Sequence, residues 1–123
     1  MICVDTSVWI AFLNDDENLQ VIKFRQALSD GIVGMAPPVL SELISFPKID
    51  QEDIELLSKL PLIGLKTGYW KRVGESRREL LKRGLKARLA DALIAQCCID
   101  AKAPLLTSDE DFRHYIELGL KLI

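Results

Sequence analysis

Histidine is nearly missing from this chain: His114 is the only one. A serine–histidine catalytic pair or a multi-histidine zinc site is therefore poorly supported. Cysteine is scarce too. Cys3, Cys97 and Cys98 make an odd count with two adjacent, which does not describe a disulfide framework. All three lie in apolar stretches without finger-type spacing, so they read as small buried hydrophobes. No apolar run is long enough to cross a bilayer, and no membrane association is expected. The opening residues carry neither a basic n-region nor a long h-region, so a cytoplasmic location is expected. With 49% hydrophobic and 28% charged residues, disorder is also excluded.

What is present fits one domain spanning 1–123, a length that buries roughly two-thirds of the unfolded surface. Ile2-Cys3-Val4 is a short apolar strand, Asp5 follows it, and an apolar-periodic helix runs from about residue 7 to 13. Thr6 or Ser7 is suited to cap that helix. A second helical stripe, Leu19, Ile22, Phe24 and Leu28, ends near Asp30-Gly31, where glycine is a natural terminator. Ile32 to Ala36 is a second strand. Pro37-Pro38 then opens a helix directly, since proline suits a first turn and not an interior. Glu42 interrupts the apolar surface of that helix, and a solvated glutamate and a functional one weigh equally there. Residues 50–59 form another helix, 62–65 a third strand, and Thr67 is the expected cap of a long helix reaching about Gly84.

That long helix and its exit are strongly basic. Between Lys66 and Arg88 lie nine of the sixteen basic residues, opposed by Glu75 and Glu79 alone, although the whole chain is at −2. A positive stripe can follow a phosphate backbone. A solvated face with snorkelling stems is the competing explanation. The candidate nucleic-acid contacts are Arg72, Arg78, Lys82, Arg83, Lys86 and Arg88. For Tyr69 and Trp70, core anchoring is favoured over base stacking.

Arg88 to Ile99 is apolar on nearly every face, which marks a buried helix, and Asp91 lies in its first turn. A buried carboxylate needs a partner, a metal or a pocket. Pairing with Arg88 is the structural alternative; the small neighbours Ala90 and Ala92 favour a pocket. Pro104 to Thr107 is a strand. Ser108 is the expected cap of the last helix, with Asp111 three residues on, which leaves Asp109 for chemistry. Leu120 to Ile123 closes the chain as an edge strand. Asp5, Glu42, Asp91 and Asp109 thus all fall at strand-to-helix junctions or helix starts, which share one edge of a parallel sheet. Two like charges about 4 Å apart cost on the order of 4 kcal/mol at an effective dielectric near 20. A divalent cation relieves that repulsion, and oxygen-only ligands suit Mg²⁺ or Mn²⁺. Acids around such an ion, beside a positive helix, point to phosphodiester hydrolysis.

The segments Val4 to Ile10, Leu40-Ser41-Glu42-Leu43, Asp91 to Ala95 and Leu106 to Phe112 resemble, in order and spacing, those of PIN domains, specifically VapC-type toxin ribonucleases of toxin–antitoxin pairs. The resemblance covers essentially the whole chain. It implies a three-layer α/β/α fold with a central, mainly parallel sheet of four to five strands. It also implies Mg²⁺- or Mn²⁺-dependent endoribonuclease activity on RNA such as transfer RNA, a VapB-type antitoxin partner, and a homodimer. By position it makes Asp5, Glu42, Asp91 and Asp109 metal-binding catalytic acids and Ser7 and Thr107 supporting hydroxyls. Asp111 becomes a second acid of the last motif. Ser108 stands where an amide is frequent, and Gln96-Cys97-Cys98 replaces a more alanine-rich run. The rivals are a PIN nuclease of RNA processing and a non-catalytic RNA- or partner-binding module. A phosphoaspartyl hydrolase would want a second acid at position 7, which is Ser.

Overall fold

Ile2–Val4 forms the central strand β1 of a parallel sheet because it is apolar on both faces, as a strand covered by helices on both sides must be. The computed structural model describes residues 1–123. β1 lies between β2 (Val33–Gly34) and β3 (Leu105–Leu106), with Ile2 opposite Val33 and Cys3 opposite both Gly34 and Leu105. Two further segments extend the sheet by one parallel bridge each: Met35 with Leu62 beyond β2, and Leu105 with Leu122 beyond β3. The expected strand at 62–65 is therefore only a contact point. Pro61 lends a carbonyl to Met35 but has no N–H, and of the four residues that follow only Ile63 is buried.

The helices are α1 (Thr6–Leu13), α2 (Leu19–Ser29), α3 (Pro37–Ile44), α4 (Gln51–Ser58), α5 (Tyr69–Lys82) and α6 (Leu89–Ala101), followed by a 3₁₀ helix over Glu110–Leu118. The helices pack on one another in two groups that meet: α1 lies against α2 and α3, α3 against α4, α5 and the 3₁₀ helix against α6, and α3 also touches α6. Pro37 and Pro38 occupy the first turn of α3, and Gly31, at φ 67°, closes α2. The start of α5 differs from expectation. Gly68, not Thr67, stands at the helix entry with φ 81°, and a side chain there would meet the Arg72 guanidinium. Arg72 uses that space to donate to the Thr67 carbonyl at 2.8 Å.

The core is one continuous cluster in which Trp9, Phe24, Tyr69, Phe112 and Tyr115 are the bulky members. Trp9 meets Phe24 edge-on, ring centroids 4.5 Å apart. All three cysteines are buried and free, and burial pushes the Cys97 thiol up to about 12. Tyr69 is buried and donates to the Leu93 carbonyl at 2.6 Å, which ties α5 to α6. Trp70, expected in the core beside it, is 69% exposed. The buried face of α5 carries Tyr69, Val73 and Leu80, and Trp70, about 100° further round, lies off it.

Candidate active site

β1 delivers Asp5 to the carboxyl end of the sheet and then stops, because Asp5 is the entry residue of α1. The residue is buried, 5% exposed. Oδ2 accepts from Ser7 Oγ at 2.7 Å and from Thr107 Oγ1 at 2.8 Å. Thr107 Oγ1 in turn accepts from the Asp109 backbone N–H at 3.0 Å, and Ser7 Oγ accepts from that of Ser108 at 3.3 Å. Two hydroxyls therefore stitch the end of β1 to the end of β3, leaving Asp5 Oδ1 without a protein donor. Neither Thr6 nor Ser7 caps α1 through its side chain, contrary to the local reading. Ser7 turns back to Asp5, and Thr6 Oγ1 donates to Glu42 Oε1 at 2.7 Å.

Asp109 both caps the 3₁₀ helix and borders the pocket. Its Oδ1 accepts from the Asp111 backbone N–H at 2.9 Å, so the cap is one residue later than Ser108. That hydrogen bond leaves Oδ2 free. Asp91 rises from the first turn of α6, where Arg88 is the entry residue. Carboxylate oxygens of Asp91, Asp109 and Asp111 all lie within 4.8 Å of one another. Burial, then the Asp109 and Asp5 carboxylates, push Asp91 up to about 6, and Arg88 offsets only part of this. Arg88 makes no ion pair with Asp91. Burial, with Asp91 also contributing, pushes Tyr115 up to about 12.

The residues expected to act together are thus brought to one end of the sheet, but not as one equal set. Asp91, Asp109 and Asp111 form the tight group, and Asp5 is near enough to be felt by Asp91. Glu42 belongs to α3, outside that group, and is held through Thr6. The roles of Thr6 and of Gln20, whose amide donates to the Thr107 carbonyl at 2.9 Å, were not read from the sequence. The signal for Thr6 was there: three oxygen-bearing side chains in a row exceed what one helix cap needs.

Electrostatics and donor chemistry both fit a divalent cation. Every candidate ligand is a carboxylate oxygen, the preference of hard ions, and no nitrogen or sulfur ligand is near. The single ion pair to the group is Lys86 Nζ to Asp111 Oδ2 at 3.3 Å.

The basic stripe divides. Arg72 forks onto Asp100 of α6, with Nη2 at 2.6 Å from Oδ2. Arg83 bridges Glu79 and Glu117. Those two are bound up in structural pairs. Arg78, Lys82 and Arg88 are exposed and have no carboxylate partner. Arg78 and Lys82 flank a cleft of about 430 Å³ that Gly74, Arg77, Leu81 and Leu89 complete.

A parallel α/β sheet with carboxylates gathered at its C-terminal edge sets the class of fold, and the comparisons narrow it. The chain matches the PIN domain family over residues 2–118, and it belongs to that family. No curated protein sequence matches it significantly. Among solved structures it is similar to VapBC2 from Rickettsia felis, bound to a fragment of promoter DNA. That likeness has 25% identity and a TM-score of 0.77, covering 100% of this chain and 98% of that one. It is also similar to FitAcB from Neisseria gonorrhoeae (17% identity, TM-score 0.69, 100% and 96% covered). A third likeness is to VapBC-5 from Mycobacterium tuberculosis, a member of the VapBC family of toxin–antitoxin systems (18% identity, TM-score 0.67, 99% and 98% covered). The fold is that of a VapC-type PIN protein. No helix is long and apolar enough to cross a membrane.

Proposed function

We propose that this chain is a Mg²⁺- or Mn²⁺-dependent endoribonuclease and the toxin of a toxin–antitoxin pair. The observation that carries the reading is the convergence of Asp91, Asp109 and Asp111, with hydroxyl-locked Asp5 beside them. PIN domains are generally nucleases, which agrees with it. A bound divalent cation supplies water acidification and neutralises charge on the phosphodiester. Asp91, Asp109 and Asp5 would hold that cation. Ser7 and Thr107 fix Asp5 in place, because a carboxylate pinned on one oxygen presents the other in one direction. Asp111 joins from the first turn of the 3₁₀ helix, and Glu42, oriented by Thr6, faces the same end of the sheet from α3. In hydrolysis the water oxygen bonds to phosphorus, the bond to one ribose oxygen breaks, and that oxygen leaves with a proton. Arg78, Lys82 and Arg88 guide the phosphate backbone.

The likeness to VapBC2 and to VapBC-5, a member of a toxin–antitoxin family, supports a VapB-type antitoxin as partner; RNA such as transfer RNA as target and a homodimer as assembly are further parts of the proposal. The deciding experiment incubates purified protein with labelled transfer RNA and with DNA, in Mg²⁺ and in EDTA. RNA cleavage that EDTA abolishes is expected. Intact RNA in Mg²⁺, or cleavage indifferent to EDTA, refutes the reading.

A further inference from the structure

One cation of the basic stripe forms an ion pair with the acid group. Lys86 Nζ lies 3.3 Å from Asp111 Oδ2, whereas Arg72 and Arg83 are bound to acids elsewhere. Lys86 stands in the loop joining α5 to α6, and its backbone is held from two sides. Its carbonyl is 3.3 Å from His114 Nδ1, and the next carbonyl, that of Ala87, accepts from Arg77 Nε at 2.8 Å. The side chain, by contrast, is 53% exposed. A pinned backbone with a free ammonium can change partner without leaving the site. Lysine suits this, being a compact charge on a rotatable stem.

We propose that Lys86 is the resident counter-ion of the pocket and exchanges its partner on loading. It neutralises Asp111 while no divalent cation is bound, yields Asp111 to the cation, and then turns its ammonium to a non-bridging oxygen of the scissile phosphate. The second half rests on the nuclease reading above; the first does not. The physical reason for the exchange is competition. The ammonium paired with Asp111 cancels part of the negative charge that this carboxylate offers a second cation, so each weakens the other's hold on it. Once released, the ammonium finds the substrate phosphate as the nearest uncompensated negative charge, where a positioned cation stabilises the crowded phosphorus centre.

Lys86→Met and Lys86→Arg test this. An exposed lysine replaced by an unbranched neutral chain leaves the fold intact. Mn²⁺ titrated into the protein alone, read by electron paramagnetic resonance, is expected to bind K86M roughly two- to fivefold more tightly than wild type. In an Asp111→Asn background the same change should have no effect on Mn²⁺ affinity. At saturating Mn²⁺, K86M is expected to lose at least about tenfold in kcat on RNA, with most of it restored in K86R. Unchanged or weaker Mn²⁺ binding by K86M overturns the competition, and an unchanged kcat overturns the phosphate contact. If wild-type protein binds Mn²⁺ but leaves RNA intact, the nuclease reading and the phosphate contact fall together. The Mn²⁺ titration still decides the competition.

Discussion

Two aspartates on the same helix meet opposite fates. Asp91 opens α6 and Asp100 sits near its end, and burial works against the charged form of both. At Asp100 that penalty is outweighed by hydrogen bonds from Arg72 and Gln96, so its carboxyl is held below the usual range. Ser76 completes the arrangement by donating to Gln96 Oε1 at 2.7 Å, and Gln96 Nε2 donates to Asp100 at 2.9 Å. At Asp91 the neighbours are Asp109, Asp5 and Asp111, and the carboxyl is pushed up. One end of α6 is therefore electrostatically closed, and the other is left wanting positive charge. Asp100 arrives with its cation, and under the proposed function Asp91 takes its cation from outside.

The contrast can be broken at its strongest point first. Asp91→Asn and Asp109→Asn are each expected to cut RNA cleavage by on the order of a thousandfold or more, measured as single-turnover rates in Mg²⁺. Asp100→Asn should leave the rate per folded molecule within about twofold. If Asp100→Asn is equally damaging, the division between the two ends is wrong.

The second largest effect belongs to the closed end. Arg72→Ala leaves the Asp100 carboxylate without its cation, and a lower unfolding midpoint in denaturant is expected. Cleavage by the folded fraction should survive.

Asp91→Asn sharpens the comparison in the other direction. A carboxyl raised to about 6 in the fold, against an ordinary value of 3.8, binds its proton more tightly folded than unfolded. The contribution of Asp91 to stability is then greatest below about pH 4, falls as pH rises through the interval to about 6, and stays lower above it. In EDTA at pH 7.5 the Asn variant should be more stable than wild type by about 1–2 kcal/mol, allowing for screening. That gain should vanish near pH 4. A variant less stable at pH 7.5 would show that Asp91 has an attractive partner after all.

The smallest effect is expected from Thr6→Val, which removes the hydroxyl on Glu42 while keeping the β-branch. A melting temperature close to wild type with a rate loss of about tenfold would mark Thr6 as a positioning residue. Rescue by Thr6→Ser would exclude a packing origin.

Much of this was legible in one dimension. The strand-to-helix junctions put Asp5 and Asp109 at the sheet edge, Pro37-Pro38 announced α3, and the all-round apolar run of α6 announced burial. The illegible parts were those whose causes lie far along the chain. Edge strands depend on a neighbour's exposure, so 62–65 and 120–123 shrank to one bridge each. The basic stripe looked uniform because the acids that occupy Arg72 and Arg83, Asp100 and Glu117, stand 28 and 34 residues away.

The chain's own pattern of apolar runs, prolines and acids was enough to dictate an α/β sheet with carboxylates gathered along one edge. That follows because hydrophobic periodicity and backbone restriction act locally. Which carboxylates close on one another is a different matter: Asp111 joins Asp91 and Asp109, Glu42 answers to Thr6, and one lysine pairs with Asp111. Folding settled those assignments, because hydrogen bonds and charges act across space and take whichever partner the packing brings within reach.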